Sequence, residues 1–287
     1  MSSTIIVTII SLSLLAAVSA VILYFVAQKF HVNEDPRIDD VQAALPAANC
    51  GGCGFAGCRN FAEALVAAET FDGLNCPVGG SEVMKLIAGM LGKAADETEP
   101  LTAVLLCNGT PEFRPRTTRY DGVESCRIQH NLYIGETNCS YGCLGNGDCV
   151  KACKFGAIKI DNSTKLPVID DSKCVACGAC VKSCPRNLIE LRKKEKKDRK
   201  IYVACSNCDK GAIAIKACKA ACIACSKCLK VCEFGAITIE KNLAHIDAKK
   251  CKLCRKCVAE CSTKSILEFN FPPRKPKVET ESITING

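Results

Sequence analysis

The chain carries three runs of four cysteines with one shared spacing, Cys-x2-Cys-x2-Cys-x3-Cys, and a fourth run in which that spacing is stretched. In ferredoxins, the first three cysteines of such a run hold one cubane [4Fe-4S] cluster, and the fourth binds a second cluster nearby. In chain order the runs are Cys139-Cys143-Cys149-Cys153, Cys174-Cys177-Cys180-Cys184, Cys222-Cys225-Cys228-Cys232 and Cys251-Cys254-Cys257-Cys261.

This exchange of the fourth cysteine predicts four clusters in two pairs. Zinc is the alternative, but zinc sites typically combine two separated Cys-x2-Cys knuckles rather than tandem runs with an offset fourth ligand. The predicted ligand groups are Cys139, Cys143, Cys149 and Cys184; Cys153, Cys174, Cys177 and Cys180; Cys222, Cys225, Cys228 and Cys261; and Cys232, Cys251, Cys254 and Cys257.

A different motif comes earlier, where Cys50, Cys53 and Cys58 are followed by Cys76. Four glycines between the first three cysteines let the backbone curl tightly, so that N–H groups can approach cluster sulfurs and stabilise their negative charge. The motif predicts a fifth [4Fe-4S] cluster, with zinc again the alternative.

Five cysteines then remain, and they are either ordinary buried thiols or ligands of a sixth cluster. The preferred sixth group requires the strand-like runs 101–106 and 200–204 to lie side by side, with Cys208 a bystander. A competing local group combines Cys205, Cys208 and Cys218 with one upstream thiol. The preferred ligands are Cys107, Cys126, Cys205 and Cys218.

The composition supports metal ligation in a reducing compartment rather than a disulfide scaffold. The chain has 25 cysteines among 287 residues, an odd number, and most lie too close together in sequence to join distant segments. It has no Walker A loop or dinucleotide-binding glycine motif, and its three histidines are scattered. We therefore expect an electron carrier without a catalytic site of its own.

The N-terminus predicts a membrane anchor. Residues 4–28 contain no charged side chain, and this run is long enough to cross a bilayer as a helix. A cleaved signal peptide is the alternative, but no basic residue precedes the apolar run, and the run continues past Ala20. Lys29 follows directly, so the positive-inside rule predicts a single-pass protein with its bulk in the cytoplasm.

The rest of the chain divides into modules, two of which repeat. The sequence CVKACKFGAI at 149–158 matches CLKVCEFGAI at 228–237. A basic run at 192–200, in a chain of net charge +8, is either a solvated connector or a docking patch for an acidic partner. The predicted organisation is an anchor (1–30), a helical 4Fe-4S domain (31–95), a connecting segment (96–138), ferredoxin unit 1 (139–192), a basic connector (193–221), ferredoxin unit 2 (222–270) and a flexible tail (271–287).

Together these features resemble the B subunit of the Rnf complex, the ion-translocating ferredoxin:NAD oxidoreductase of bacterial membranes, in its extended form with two ferredoxin units. The likeness is carried by NEDPRIDDVQAALPAANCGGCGFAGC at 33–58, NCSYGCLGNGDCVKAC at 138–153 and ACIACSKCLKVC at 221–232. It implies an α+β fold with one transmembrane helix, a small helical 4Fe-4S domain and two bacterial-ferredoxin-like units of βαβ type.

The resemblance also implies a partner on each side of the chain. Reduced soluble ferredoxin would deliver electrons, and other Rnf subunits in the bacterial inner (cytoplasmic) membrane would pass them to flavins and NAD, coupled to Na+ or H+ movement. The expected state is a hetero-oligomeric complex without nucleic acid. The alternative is a standalone membrane-tethered relay that serves another reductase.

Overall fold

A long apolar helix begins the chain. The computed structural model describes residues 2–29, 35–94 and 99–273. Helix α1 (Ser2–Lys29) is about 42 Å long at 1.5 Å per residue, more than the roughly 30 Å of a bilayer's hydrocarbon core. Within Ile5–Lys29, the most apolar 18-residue window has a mean hydropathy of 2.7, and none of that window is buried against the rest of the protein. By length and composition, α1 is a candidate membrane span.

The next module contains three short helices that pack around one small apolar core. These are α2 (Arg37–Ala44), α3 (Cys58–Ala67) and α4 (Gly80–Leu91), each of which lies in a stretch where the sequence predicts helical periodicity. Phe61 and Leu65 project from the same face of α3 and are fully buried with Ile87 of α4. The helices thus form a scaffold for the loop that carries Cys50 and Cys53.

Ferredoxin unit 1 is built from two antiparallel strand pairs and short helices. Its first strand pairs with its last, from Leu101↔Lys193 to Leu105↔Ile189, and its middle strands form a hairpin. The elements in chain order are β1 (Leu101–Leu105), α5 (Cys126–Leu132), α6 (Asp148–Ala152), β2 (Ile158–Ile160), β3 (Pro167–Ile169), α7 (Ala179–Ser183) and β4 (Ile189–Lys193).

Ferredoxin unit 2 repeats this topology, with the first strand again paired to the last and the middle two joined as a hairpin. The α+β class and the duplicated unit are confirmed. The first strand of each unit lies in a segment that the sequence predicts to be a connector. The elements are β5 (Lys200–Val203), α8 (Gly211–Ala217), α9 (Lys227–Lys230), β6 (Ile237–Glu240), β7 (Leu243–Ile246), α10 (Lys256–Glu260) and β8 (Ile266–Phe269).

The predicted side-by-side pairing of runs 101–106 and 200–204 is wrong. Each run forms a strand, but it pairs inside its own unit, because the chain after the fourth cysteine returns to that strand's edge. The two sheets instead pack on each other, with Val104 against Tyr202, and Asn108 N donates to Ala204 O at 2.9 Å. Packing of the two sheets therefore brings runs 101–106 and 200–204 together, although the two runs do not pair as strands.

Candidate iron–sulfur centres

Five cavities are each lined by four cysteines. Within the part of the chain that the structure describes, no three Cys, His, Asp or Glu side chains converge as closely as a single metal ion requires. Thiols placed around a cavity suit a larger cofactor with a sulfur ligand at each corner.

We name these groups by position. The N-terminal set is Cys50, Cys53, Cys58 and Cys76; the first set is Cys126, Cys143, Cys149 and Cys184; the bridging set is Cys107, Cys139, Cys205 and Cys218; the third set is Cys222, Cys225, Cys228 and Cys261; and the fourth set is Cys232, Cys251, Cys254 and Cys257.

A further group, the second set, consists of Cys153, Cys174, Cys177 and Cys180. Burial raises the pKa of Cys180 to about 11, and the adjacent thiols of Cys174 and Cys177 add to the shift. The pKa of Cys177 is raised by burial and by the thiols around it, one of which is Cys153. The thiols of this set are therefore close enough to influence one another electrostatically.

Four of these six groups contain the cysteines that the spacing grouped, but two do not. The spacing placed Cys139 with Cys143, Cys149 and Cys184, whereas the structure separates it from them. Cys126, expected in the sixth group, lines the cavity of the first set instead. Cys139 takes the corresponding place in the bridging set.

Helix α5 explains the position of Cys126, its first residue. Asp148, which precedes Cys149, accepts hydrogen bonds from Ser125 Oγ at 2.9 Å and from Arg127 N at 3.0 Å. These bonds flank Cys126 on both sides and fix it beside the first set. They also hold the pKa of Asp148 below its usual range, against the opposing effect of burial.

Asn207 and a patch of alanines explain the position of Cys139. The Asn207 side chain is 1% exposed, and its Nδ2 lies 3.7 Å from Cys139 Sγ. Cys139 also packs with Cys218 in an apolar group that includes Ala214 of α8. The only sequence signal for the exchange was the stretched spacing, x3 and x5 where the other runs have x2 and x2.

Hydrogen bonds or electrostatic interactions between thiols connect each cysteine set to the next. Cys143 N lies 3.5 Å from Cys107 Sγ, joining the first set to the bridging set. Cys222 N donates to Cys205 Sγ at 3.3 Å, joining the bridging set to the third. The thiol of Cys180 in the second set raises the pKa of Cys149 in the first, after the larger effects of burial and of nearer thiols.

The cysteine sets at the two ends of this series also interact with their neighbours. The Cys50 thiol contributes to the raised pKa of Cys177, after burial, and Lys154 Nζ donates to Asn49 O at 3.2 Å. Cys228 of the third set likewise contributes to the raised pKa of Cys257 in the fourth, after burial and nearer thiols. The order along the molecule is therefore N-terminal, second, first, bridging, third and fourth.

Without a metal, the buried thiols of these sets are difficult to deprotonate. Burial raises the pKa of Cys149, Cys205 and Cys257 to about 12, and repulsion from neighbouring thiols adds to the shift. Metal binding must displace these protons, after which iron compensates the thiolate charge. Cys261 differs, because hydrogen bonds led by the Ser265 hydroxyl outweigh burial and hold its pKa below the usual value.

Two arginines, one buried and one partly buried, lie beside the first and bridging sets. Arg114, 7% exposed, lines the bridging cavity, and its Nη2 donates to Cys143 O at 2.8 Å. Arg186 lines the cavity of the first set and donates to the carbonyls of Gly142 and Ile134. Burial lowers the pKa of Arg186, and the positive charge of Arg114 lowers it further.

Most of the basic run is engaged within the protein. Lys193 Nζ lies 2.6 Å from Glu99, and Lys194 Nζ lies 3.3 Å from Asp198. The ammonium group of Lys200 is buried against Asp171 at 2.6 Å. These contacts favour the connector interpretation over the docking interpretation for this segment.

Family models recognise the same modules. A model for a putative Fe-S cluster matches residues 45–78. One model described as a 4Fe-4S dicluster domain matches residues 138–187 and 221–265, and a second of the same description matches residues 166–222. The chain therefore contains several 4Fe-4S domains.

Relatives extend the similarity to most of the chain. It is 43% identical over 235 residues to the B subunit of the Na(+)-translocating ferredoxin:NAD(+) oxidoreductase complex of Acetobacterium woodii, covering 82% of this chain and 69% of that protein. It is 40% identical to the B subunit of the ion-translocating oxidoreductase complex of Methanosarcina acetivorans, covering 93% and 99%.

A third relative, the B subunit of the proton-translocating ferredoxin:NAD(+) oxidoreductase complex of Clostridium ljungdahlii, is 36% identical and is matched over 92% of both chains. Identity at this level across nearly the full length, together with the candidate membrane span and the 4Fe-4S domains, identifies the family. The chain belongs to the B subunits of the ion-translocating oxidoreductase complexes, the Rnf complexes.

Proposed function

We propose that this chain is the electron-input subunit of an Rnf complex. It accepts electrons from reduced ferredoxin and passes them to membrane partners that reduce NAD while translocating Na+ or H+. The observation that carries the proposal is the unbroken row of four-cysteine groups between unit 2 and the module that follows α1. Lys29, directly after the apolar span, supports an inner-membrane anchor with the cysteine-bearing modules on the cytoplasmic side.

Each four-cysteine group fits a [4Fe-4S] cluster, which when bound supplies reversible one-electron redox chemistry. We assign one cluster each to the N-terminal, first, second, third and fourth sets, so that the chain holds at least five. The protein's own residues hold the cofactors in register, bury them and set the charge around them. The transfer of hydride to NAD is the work of the partner subunits.

Electrons arrive, we propose, at ferredoxin unit 2. Among the 25 cysteines, all of which the structure describes, only Cys225 of the third set and Cys254 of the fourth set are exposed. Lys227 and Lys252 are also exposed and line the same two cavities. Positive charge beside an exposed redox site attracts an acidic donor and raises the rate of association.

Stopped-flow reduction of the full chain in detergent by reduced ferredoxin, under anaerobic conditions, tests this input site. In the double variant Lys227→Gln/Lys252→Gln, the second-order rate constant should fall about tenfold at low ionic strength. The difference should shrink at 0.1 M salt or above, where the Debye length is about 10 Å or less. The matched control is Lys159→Gln/Lys182→Gln, which removes two exposed charges from unit 1. Equal slowing in both double variants would contradict electron input at unit 2.

Membrane vesicles from cells that lack the native B subunit test the larger assignment. Adding the full chain back should restore NAD reduction by ferredoxin, together with ion uptake into inverted vesicles. A standalone relay would become reduced by ferredoxin but would restore neither activity. This second result would refute membership of a working Rnf complex while leaving the iron–sulfur assignment intact.

A further inference from the structure

We propose that the bridging set, Cys107, Cys139, Cys205 and Cys218, binds a sixth [4Fe-4S] cluster, and that Cys126 completes the first set in place of Cys139. The inference rests on the proposed function only in requiring that the chain carries iron–sulfur clusters. It assigns a cofactor site built from both ferredoxin units, and it changes a ligand of the cluster in unit 1.

The cavity itself is the first argument. Its four cysteines come from four separate segments, two belonging to unit 1 and two to unit 2. Cys107 follows β1, and Cys205 follows β5 after one alanine, so packing of the two sheets sets the distance between them. Cys139 and Cys218 belong to one buried apolar group, and Cys205 packs against it.

Buried positive charge is the second and independent argument. Arg114 is more than nine-tenths buried, lines this cavity, and its Nε has no hydrogen-bond acceptor among residues 2–29, 35–94 and 99–273. A second, partly buried arginine, Arg186, donates to the carbonyl of Gly142, the residue whose Cβ position lies beside Arg114 Nη1. A buried cation beside neutral thiols is costly, and a second guanidinium group nearby adds to that cost, whereas a cluster held by four thiolates supplies the missing negative charge.

The surrounding chain is shaped to hold Arg114 there. A Cβ atom on Gly142 would lie 1.8 Å from Arg114 Nη1, and one on Gly109 would lie 2.9 Å from its Nε. Glycine at both positions leaves room for the guanidinium group against the cavity.

Continuity of the row is the third argument. The bridging set makes the contacts that connect the first set of unit 1 to the third set of unit 2, through Cys107 and Cys205. With a cluster there, electrons that reach unit 2 meet closely spaced redox sites all the way to the N-terminal module. Electron tunnelling slows steeply with distance, so a cofactor at this junction is what the row requires.

The iron and sulfide content of the anaerobically purified full chain gives the first test, with Mössbauer spectroscopy to count the cubanes. Six clusters predict about 24 irons per chain. About 20 irons, with five cubanes in the spectrum, would overturn the sixth site while leaving the proposed function in place. A fully reconstituted protein without cubanes would overturn both.

Single Cys→Ser variants give the second test, because each should change the EPR signal of its own cluster. Cys107→Ser, Cys139→Ser, Cys205→Ser and Cys218→Ser should alter one common signal, with the loss of up to about four irons. Cys126→Ser should alter the different signal that Cys184→Ser alters. The matched control is Cys208→Ser, three residues from Cys205 but outside the cavity lining, and it should match the wild type.

Two outcomes of the variant series would overturn the assignment. In one, Cys139→Ser changes the same signal as Cys184→Ser while Cys126→Ser has no effect, which restores the spacing-based grouping. In the other, Cys208→Ser loses iron and Cys107→Ser does not, which places the site within the local group after β5. A variant that loses far more than four irons has lost its fold, and the wild-type cluster count then decides.

Discussion

The contact between the helical module and ferredoxin unit 1 can be tested at Gly52. Gly52 lies between two cysteines of the N-terminal set, and a Cβ atom there would stand 3.0 Å from both Cα and O of Cys177 and 2.8 Å from Cγ of Pro77. Ordinary van der Waals contact starts at 3.4 Å, so Gly52→Ala must move the module away from the Cys177 backbone by about 0.4 Å, the difference between 3.4 and 3.0 Å.

The free-energy cost of that displacement depends on how easily the atoms that face the added methyl group can move. The atoms of Cys177 are backbone, which cannot rotate away as a flexible side chain could, so we expect the penalty of overpacking, about 1–3 kcal/mol. Expressed as an equilibrium between docked and undocked modules, this is a shift of about 5- to 150-fold. Gly52 has no positive φ, so alanine fits the local backbone; the Pro77 ring, 2.8 Å from the added Cβ in the same module, must also shift, and a wild-type iron content is the check that the N-terminal set survives that shift.

EPR spectroscopy of the fully reduced chain measures the effect. Paramagnetic clusters in the N-terminal and second sets broaden each other's signals when they are close, and Gly52→Ala should reduce that broadening. The control is Gly54→Ala in the same loop, where φ is +91° and, among the residues that the structure describes, no atom beyond its chain neighbours lies within 4 Å of the added methyl group, so that it strains the loop without touching unit 1. Unchanged broadening in Gly52→Ala, or an equal change in both variants, would refute docking through this contact.

Two further predictions concern stability and the anchor. Lys200→Met should lower the free energy of unfolding by about 3 kcal/mol in denaturant titrations followed by circular dichroism, because it leaves the largely buried carboxylate of Asp171 with a hydrogen bond from Thr102 but without its cation. Lys197→Met, at an exposed position in the same connector, should change it little, and an equal loss in both variants would contradict this account. Removing residues 1–28 should yield a soluble protein with wild-type iron content, since the apolar span is unburied and no proposed ligand precedes Cys50; loss of iron would show that α1 belongs to the folded body.

Cysteine spacing predicts a ligand group well where the loop is regular. In unit 2, x2, x2 and x3 intervals grouped the same cysteines that line the two cavities, because a short loop can wrap three corners of a cubane without help from the rest of the chain. In unit 1 the interval from Cys143 to Cys149 is x5, and the loop depends on α5. Cys126, at the start of α5, is held in place by the hydrogen bonds to Asp148, and cysteine spacing cannot predict such contacts.

The positions of strands could be predicted from the sequence, but their pairing could not. Runs of apolar residues marked β1 and β5 within one residue, because extended structure is a local property of side-chain alternation and β-branching. Their partners are the last strands of their own units, far along the chain, and only the duplicated topology of the unit selects them. The segments that match in sequence begin at cysteines, whereas β1 and β5 lie before those segments. The repeat therefore does not reveal that each of these strands is the first strand of its unit.

The origin of the bridging cavity in four distant segments has a consequence for biosynthesis. The loop that contains Cys50, Cys53 and Cys58 is complete, with Cys76, soon after it leaves the ribosome, so cluster delivery to it can precede synthesis of the ferredoxin units. The bridging cavity does not exist until the sheets of both units have packed, which requires the chain as far as β8. A cluster bound at this junction stabilises the packed arrangement by mass action, so its insertion would mark the two ferredoxin units as assembled.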